Sequence, residues 1–130
     1  VVIDILKKEV VDLSSKAVLL LGLAFKPNTD DVRESVSLKL LSELSVQAKK
    51  VYAHDPIAIP NAKKSLNFDQ NIEYTSNWRD KLVDVDVVVI ATNWPEYRDL
   101  SEYLDSLDGK TVFDTRSLIS ASEVPNTQYL

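Results

Sequence analysis

The sequence predicts an α/β fold, in which a mostly parallel sheet of about five to six strands lies between two layers of helices. Short apolar runs at residues 17–21 and 85–91 suit strands that are buried on both faces. Residues 35–48 instead carry apolar side chains at helical spacing. Because strands and helices alternate along the chain, parallel pairing of the strands is favoured.

The predicted elements run from a helix at the start of the chain to a strand near its end. Residues 1–15 are expected to be the end of a linker helix that arrives from upstream, because Ile3 and Leu6 open a helical pattern. Residues 16–120 are expected to form one domain, and residues 121–130 a polar, poorly packed tail. The predicted strands are residues 17–21, 50–54, 72–75, 85–91 and 111–114, and the predicted helices or helical turns are residues 35–48, 60–66, 78–82 and 96–107.

Composition excludes several classes of function. The formal net charge of −5 argues against non-specific nucleic-acid binding, which needs a basic surface. No apolar run reaches the length of a membrane span. The chain has no cysteine and one histidine, His54, so we expect no disulfide, no catalytic cysteine and no metal site. The lack of cysteine is compatible with the cytoplasmic location that we expect.

Three loops are expected to form a ligand site at the carboxyl ends of the parallel strands. Ligands of open α/β sheets bind there, at the point where the strand order reverses. The loop of residues 22–34 offers the aromatic face of Phe25 and the cation Lys26, and the loop after the last predicted strand offers Arg116. An aromatic contact with two cations suits a nucleotide diphosphate, since arginine can bind phosphate through two hydrogen bonds. Residues 92–95 form the third loop.

The dinucleotide fingerprint is absent from the first of these loops. The pattern Gly-x-Gly-x-x-Gly needs three glycines, and this chain has only Gly22 and Gly109. Side chains at the second and third glycine positions would obstruct a pyrophosphate. The sequence therefore predicts a Rossmann-like, doubly wound fold without a cofactor site of its own.

Residues 22–35, Gly-Leu-Ala-Phe-Lys-Pro-Asn-Thr-Asp-Asp-Val-Arg-Glu-Ser, closely resemble the signature of the UDP-glucose/GDP-mannose dehydrogenase family. Three further segments resemble that family's C-terminal domain in the same order. They are Tyr-Ala-His-Asp-Pro at residues 52–56, Ala-Thr-Asn-Trp at residues 91–94 and Asp-Thr-Arg at residues 114–116. At Val36 many members of the family have proline, at a helix-start position.

The resemblance implies a larger parent enzyme, a homodimer with an N-terminal NAD-binding domain, a central dimerisation region and this C-terminal domain. Such an enzyme oxidises UDP-glucose to UDP-glucuronate with NAD and a cysteine nucleophile. This chain would bind the UDP-sugar and would be inactive alone, with no catalytic residue. The resemblance carries over Phe25, Lys26 and Arg116 as substrate-binding residues. A GDP-mannose or UDP-N-acetylhexosamine enzyme, or a stand-alone nucleotide-binding regulatory module, remains an alternative.

Each of these residues also has a purely structural interpretation. Lys26 could be a solvated loop lysine, Arg116 could pair with Asp114, and Phe25 could fill the core under its loop. Trp94 is expected either beside the site or in the core.

Neighbouring polar residues are expected to support the fold rather than to bind ligand. Asp31 and Glu34 could form a capping box at the start of the following helix. Asp55 has the position of a ribose-binding acid, but a turn or capping role before Pro56 is favoured. His54 is expected to be a strand-end residue without a chemical role.

Overall fold

A computed structural model gives the structure of this chain, and it describes residues 2–33, 35–66 and 71–130. The helices are α1 (Val2–Glu9), α2 (Val36–Gln47), α3 (Ile59–Ser65) and α4 (Leu104–Leu107), and the strands are β1 (Ala17–Leu21), β2 (Lys50–His54), β3 (Ile72–Tyr74), β4 (Val87–Ile90), β5 (Thr111–Asp114) and β6 (Thr127–Tyr129). Short 3₁₀ helices span Leu13–Ser15, Arg79–Asp84 and Pro95–Glu102.

In the described part of the chain, six strands form one sheet in the order β3-β2-β1-β4-β5-β6, and every neighbouring pair is parallel. The strand order reverses between β1 and β4, which confirms the predicted doubly wound parallel sheet. Leu21 lies opposite both His54 and Ile90, and Ile90 lies opposite Asp114. The central strands therefore end level with one another, and we call this side the carboxyl edge and the opposite side the amino edge.

The central strands are apolar because both of their faces are covered. In β1, Val18 and Leu20 belong to the apolar layer that packs under α1 and α2, whereas Leu19 and Leu21 belong to the layer on the other face. All four are fully buried. The second layer is built by Trp78, by the 3₁₀ segments Arg79–Asp84 and Pro95–Glu102, and by α4. Its buried side chains include Trp78, Leu82, Tyr97, Leu100 and Leu107. This is the predicted three-layer arrangement.

Two predicted features are wrong. The expected polar tail contains β6, which pairs with β5, and Val124 beside it is fully buried. An edge strand needs only one neighbour, so its sequence can be polar and gives little signal. Residues 96–107 form a 3₁₀ helix followed by a single turn of α-helix rather than one helix. Tyr97 and Leu100 of the 3₁₀ helix are fully buried in the core.

Candidate functional site

Gly22 ends β1 and lets the chain turn sharply at the carboxyl edge. Its φ angle is +106°, and a Cβ at this position would lie 2.4 Å from the side chain of Thr92. Its backbone N–H donates to the His54 carbonyl at 2.8 Å. Glycine is therefore required here both by conformation and by the close approach of the neighbouring loop. The residues that follow, 22–33, are called the β1 loop below.

Asp55 joins three segments at the carboxyl edge. Its Oδ2 accepts hydrogen bonds from the backbone N–H groups of Leu23 at 2.9 Å and Ala24 at 3.0 Å, and from the Trp94 indole at 3.1 Å. Its Oδ1 accepts from the backbone N–H groups of Ile57 and Ala58. The last two bonds close a turn after Asp55, which is the turn role that was expected as one of two options, and no described side chain caps α3, whose N-cap is Ala58. The carboxylate also anchors the β1 loop. Trp94 thereby lies in the core, with its indole N–H directed at Asp55.

Hydroxyl groups hold the carbonyls of the same loop. Thr92 Oγ1 donates to the Ala24 carbonyl at 2.9 Å, and Ser35 Oγ donates to the Leu23 carbonyl at 2.9 Å. Both side chains are buried, so the loop meets the core through satisfied polar groups. Leu23 and Ala24 are themselves fully buried. The base of the β1 loop is thus fixed on both its N–H and its C=O side.

The outer part of the β1 loop is stabilised differently from the prediction. Asp31 accepts from the backbone N–H of Arg33 and pairs with its guanidinium at 3.1 Å, which lowers the pKa of the carboxyl. Helix α2 begins after Ser35, and no side chain caps its first turn among the described residues. The proposed cap by Asp31 is therefore wrong, because Asp31 closes a turn within the loop. Glu34 lies outside the described residues.

Arg116 connects the loops after β1, β4 and β5. Its Nε donates to the Ala91 carbonyl at 3.0 Å, and its Nη2 lies 3.4 Å from the Phe25 carbonyl. Its backbone N–H donates to Asp114 Oδ1, while Asp114 Oδ2 accepts from Ile119 N–H. The buried Asp114 therefore shapes the turn that carries Arg116. No ion pair forms between the two side chains in the described part of the chain.

The structure brings the predicted residues Phe25 and Arg116 into contact through the Phe25 carbonyl and places Lys26 next to Phe25 in the chain. The Phe25 side chain is 53% exposed, so it does not fill the core. Lys26 is exposed and forms no ion pair within the described residues. Beside Arg116 lies a groove of about 310 Å³ lined by residues that include Val36, Leu40, Thr115 and Leu130. A cation that lines a largely apolar groove suits a ligand that carries a ring and an anion.

A buried polar pair lies beneath this edge. His54 Nδ1 lies 2.9 Å from the Tyr97 hydroxyl, and His54 Nε2 lies 3.9 Å from Glu96. Burial lowers the pKa of His54 below its ordinary value, although Glu96 and Asp55 act in the opposite direction. The imidazole is thus held neutral by the core around it, which agrees with the expected structural role.

The β1 loop does not fit a dinucleotide cofactor. The backbone N–H groups of Leu23 and Ala24, which would face a pyrophosphate in a dinucleotide-binding fold, are already bound to Asp55. Among residues 2–33, 35–66 and 71–130, no group of three or more histidine or acidic side chains could hold a metal ion. No helix in these ranges is long and apolar enough to cross a membrane.

Comparison with known proteins agrees with this geometry. Residues 19–121 match the UDP-glucose/GDP-mannose dehydrogenase family, UDP binding domain. The chain belongs to this family. The resemblance of residues 22–35 to the family signature is thereby confirmed, and Arg116, Phe25 and Lys26 all lie within the matched range.

Three similar members of the UDP-glucose/GDP-mannose dehydrogenase family are all named as UDP-glucose dehydrogenases. The UDP-glucose 6-dehydrogenase AglM of Haloferax volcanii is 34% identical over 118 residues, which are 91% of this chain and 27% of the relative. The UDP-glucose 6-dehydrogenase YwqF of Bacillus subtilis is 34% identical over 113 residues, or 85% of this chain and 25% of the relative. The solved UDP-glucose dehydrogenase of Pyrobaculum islandicum is 36% identical, with a TM-score of 0.81 over 97% of this chain and 28% of its own. The chain thus spans about a quarter of the length of these relatives.

Sequence reasoning missed part of what builds the site. Thr92 was considered only as part of a loop, Asp114 was considered only as a possible partner of Arg116, and for Asp55 a local turn or cap was favoured over ribose binding. A common signal exists, because each of these polar residues stands at the end of a strand or within two positions after it and is nevertheless buried. The bonds from Asp55 to the β1 loop and from Thr92 to Ala24 join distant segments, so they could not be read from the sequence.

Proposed function

We propose that this chain is the UDP-sugar-binding domain of an NAD-dependent UDP-glucose 6-dehydrogenase, and that Phe25, Lys26 and Arg116 contact the ligand. The observation that carries the proposal is the position of Arg116. Its guanidinium joins the loops after β1 and β4 at the strand-order reversal, beside an exposed aromatic ring. The family match and the names of the similar proteins favour UDP-glucose over other nucleotide sugars.

The proposed binding mode assigns each residue a separate task. Two of the five guanidinium N–H groups of Arg116 reach backbone carbonyls, which fixes the side chain and leaves N–H groups for phosphate oxygens. Lys26 adds a mobile point charge, and Phe25 offers a flat apolar face to a ring of the ligand. None of these residues performs a chemical step.

The oxidation of UDP-glucose to UDP-glucuronate belongs, in this proposal, to the remaining three quarters of such an enzyme. NAD would bind there, since the β1 loop of this chain does not fit it. Partners are accordingly an NAD-binding domain and a central dimerisation region of the same polypeptide, in a homodimer. A cytoplasmic location is part of the proposal and is consistent with the absence of cysteine.

Calorimetric titration of this chain with UDP, UDP-glucose, GDP and NAD tests the proposal. We expect UDP and UDP-glucose to bind, GDP to bind more weakly and NAD not to bind. Lys26→Ala and Arg116→Ala should each weaken UDP binding about tenfold, because each removes a charge-assisted contact. Lys49→Ala is the matched control, since Lys49 is exposed at the amino edge. Melting curves separate loss of binding from loss of fold.

Unchanged UDP affinity in folded Lys26→Ala and Arg116→Ala proteins would contradict the assigned site. NAD binding in place of UDP would contradict the proposed ligand.

A further inference from the structure

A carboxylate of the protein occupies the place where related folds bind phosphate. In dinucleotide-binding loops, backbone N–H groups just after β1 face the pyrophosphate. Here Asp55 Oδ2 accepts hydrogen bonds from the N–H groups of Leu23 and Ala24 at 2.9 and 3.0 Å. We propose that Asp55 serves as an internal anion that fills this position and thereby fixes Phe25 and Lys26 for ligand binding.

The hydrogen bonds explain why a carboxylate is needed. Asp55 is 3% exposed and accepts five hydrogen bonds, which come from four backbone N–H groups and one indole N–H. No ion pair to Asp55 forms in the described ranges, so these N–H groups alone stabilise the negative charge. An amide cannot replace it, because its NH₂ group would face other donors. Both oxygen positions of the Asp55 side chain face N–H donors, so both must be occupied by hydrogen-bond acceptors.

The effect of Asp55 reaches the ligand residues through the backbone. Phe25 follows directly after Ala24, its N–H donates to the Asp31 carbonyl at 2.8 Å, and its carbonyl lies 3.4 Å from Arg116 Nη2. A shift of Ala24 would therefore move both the aromatic ring and the partner of the guanidinium. Asp55 is a positioning residue, since the N–H groups it binds are buried and it leaves ligand phosphates to side chains such as Lys26. Only this last step, the orientation toward UDP, rests on the proposed function.

Chemical rescue tests the inference. Asp55→Ala removes the carboxylate and leaves space for formate, whereas Asp55→Asn keeps the space filled. UDP affinity is measured for both variants in sodium formate and in sodium chloride of equal ionic strength, which keeps screening constant. Hydrogen exchange of the Leu23 and Ala24 amides is followed in the same samples without UDP. Asp86→Ala is the matched control, because the Asp86 carboxylate also accepts a β1 backbone N–H, that of Ala17 at 3.0 Å, but at the amino edge.

We expect Asp55→Ala to lower UDP affinity about tenfold or more, because buried donors lose a charged acceptor. Formate should restore most of this affinity and slow the exchange of the Leu23 and Ala24 amides again. Asp55→Asn should be weakened without response to formate, and Asp86→Ala should resemble the wild type throughout.

Two results would overturn the inference: wild-type UDP affinity in a folded Asp55 variant, or amide exchange in Asp55→Ala that formate does not slow. If Asp55→Ala does not fold, Asp55→Asn decides, and wild-type affinity and exchange in that variant refute the inference. If the wild type binds no UDP, the proposed function fails, whereas the exchange measurement still decides the role of Asp55.

Discussion

The two edges of the sheet border the same strands but differ in how their polar side chains are buried and bonded. At the carboxyl edge, the polar side chains of His54, Asp55, Thr92 and Asp114 are buried and hydrogen-bonded. Bonds of the first three join distant segments, and those of Asp114 shape its own turn. At the amino edge, the comparable carboxylate, Asp86, is exposed. Burying polar groups is unfavourable unless every bond is made, so such a network persists where geometry must be fixed. The comparison shows that a buried polar network holds the loops of the carboxyl edge in place, which is the arrangement that the proposed binding site requires.

The two glycines give the largest expected difference between the edges. Gly22→Ala should lower the free energy of unfolding by about 3 kcal/mol or more, because the new Cβ meets Thr92 at 2.4 Å and φ is +106°. Gly109→Ala is the control at the amino edge, where φ is +75° and nothing lies within 4 Å of the new Cβ. This variant should lower the free energy of unfolding by only about 1–2 kcal/mol. Urea unfolding measures both, and equal losses would refute the contrast in packing.

His54 gives an intermediate effect that depends on pH. Burial lowers its pKa against the pull of Glu96 and Asp55, while Arg79 acts in the same direction as burial. The unfolded chain therefore binds a proton before the folded protein does, and stability falls as pH drops below the ordinary histidine value of about 6.5. Above that value the contribution is fully present.

The histidine effect can be isolated because the chain has one histidine. The free energy of unfolding is compared between about pH 7.5 and pH 5.5 for the wild type and His54→Gln, which retains a hydrogen-bonding group for Tyr97. The wild type should lose more stability than the variant over this range. Equal losses would show that burial does not hold His54 neutral.

The smallest effect is expected at Val36, which lies at the carboxyl edge but outside the buried network. It is the first residue of α2 and is 72% exposed, and Ser35 before it is extended, as a residue before proline must be. Val36→Pro should raise the free energy of unfolding by about 0.5–1 kcal/mol, because proline restricts the unfolded chain. A loss of stability in thermal unfolding would show that this edge tolerates no change even where it is exposed.

Much of the fold could be predicted because strands that are buried on both faces have continuous apolar sequences. β2 and β5 have the predicted bounds, and α2 spans Val36–Gln47 where residues 35–48 were expected. β6 was not predicted, because Thr127–Tyr129 is a polar edge strand with a single neighbour. The 3₁₀ segment Pro95–Glu102 was predicted as part of an α-helix, because the spacing of its apolar residues matches that of an α-helix.

The closeness of Phe25 and Arg116 could be predicted from the sequence, but the hydrogen bonds that support them could not. The rule for open α/β sheets placed Phe25 and Arg116 at one edge, and the structure joins them there. The anchoring of the β1 loop by Asp55 depends on Leu23 and Trp94, which lie 32 and 39 positions away in the chain. Such bonds follow from the folded arrangement, and no local sequence pattern encodes them.

Chemical-shift mapping of a UDP titration by NMR tests most directly whether the carboxyl edge is the binding edge. We expect the largest shifts in residues 22–26, 91–94 and 115–116, with the signals of Asp86 and Gly109 at the amino edge unchanged. Shifts centred on the amino edge, or spread equally over both edges, would contradict the account.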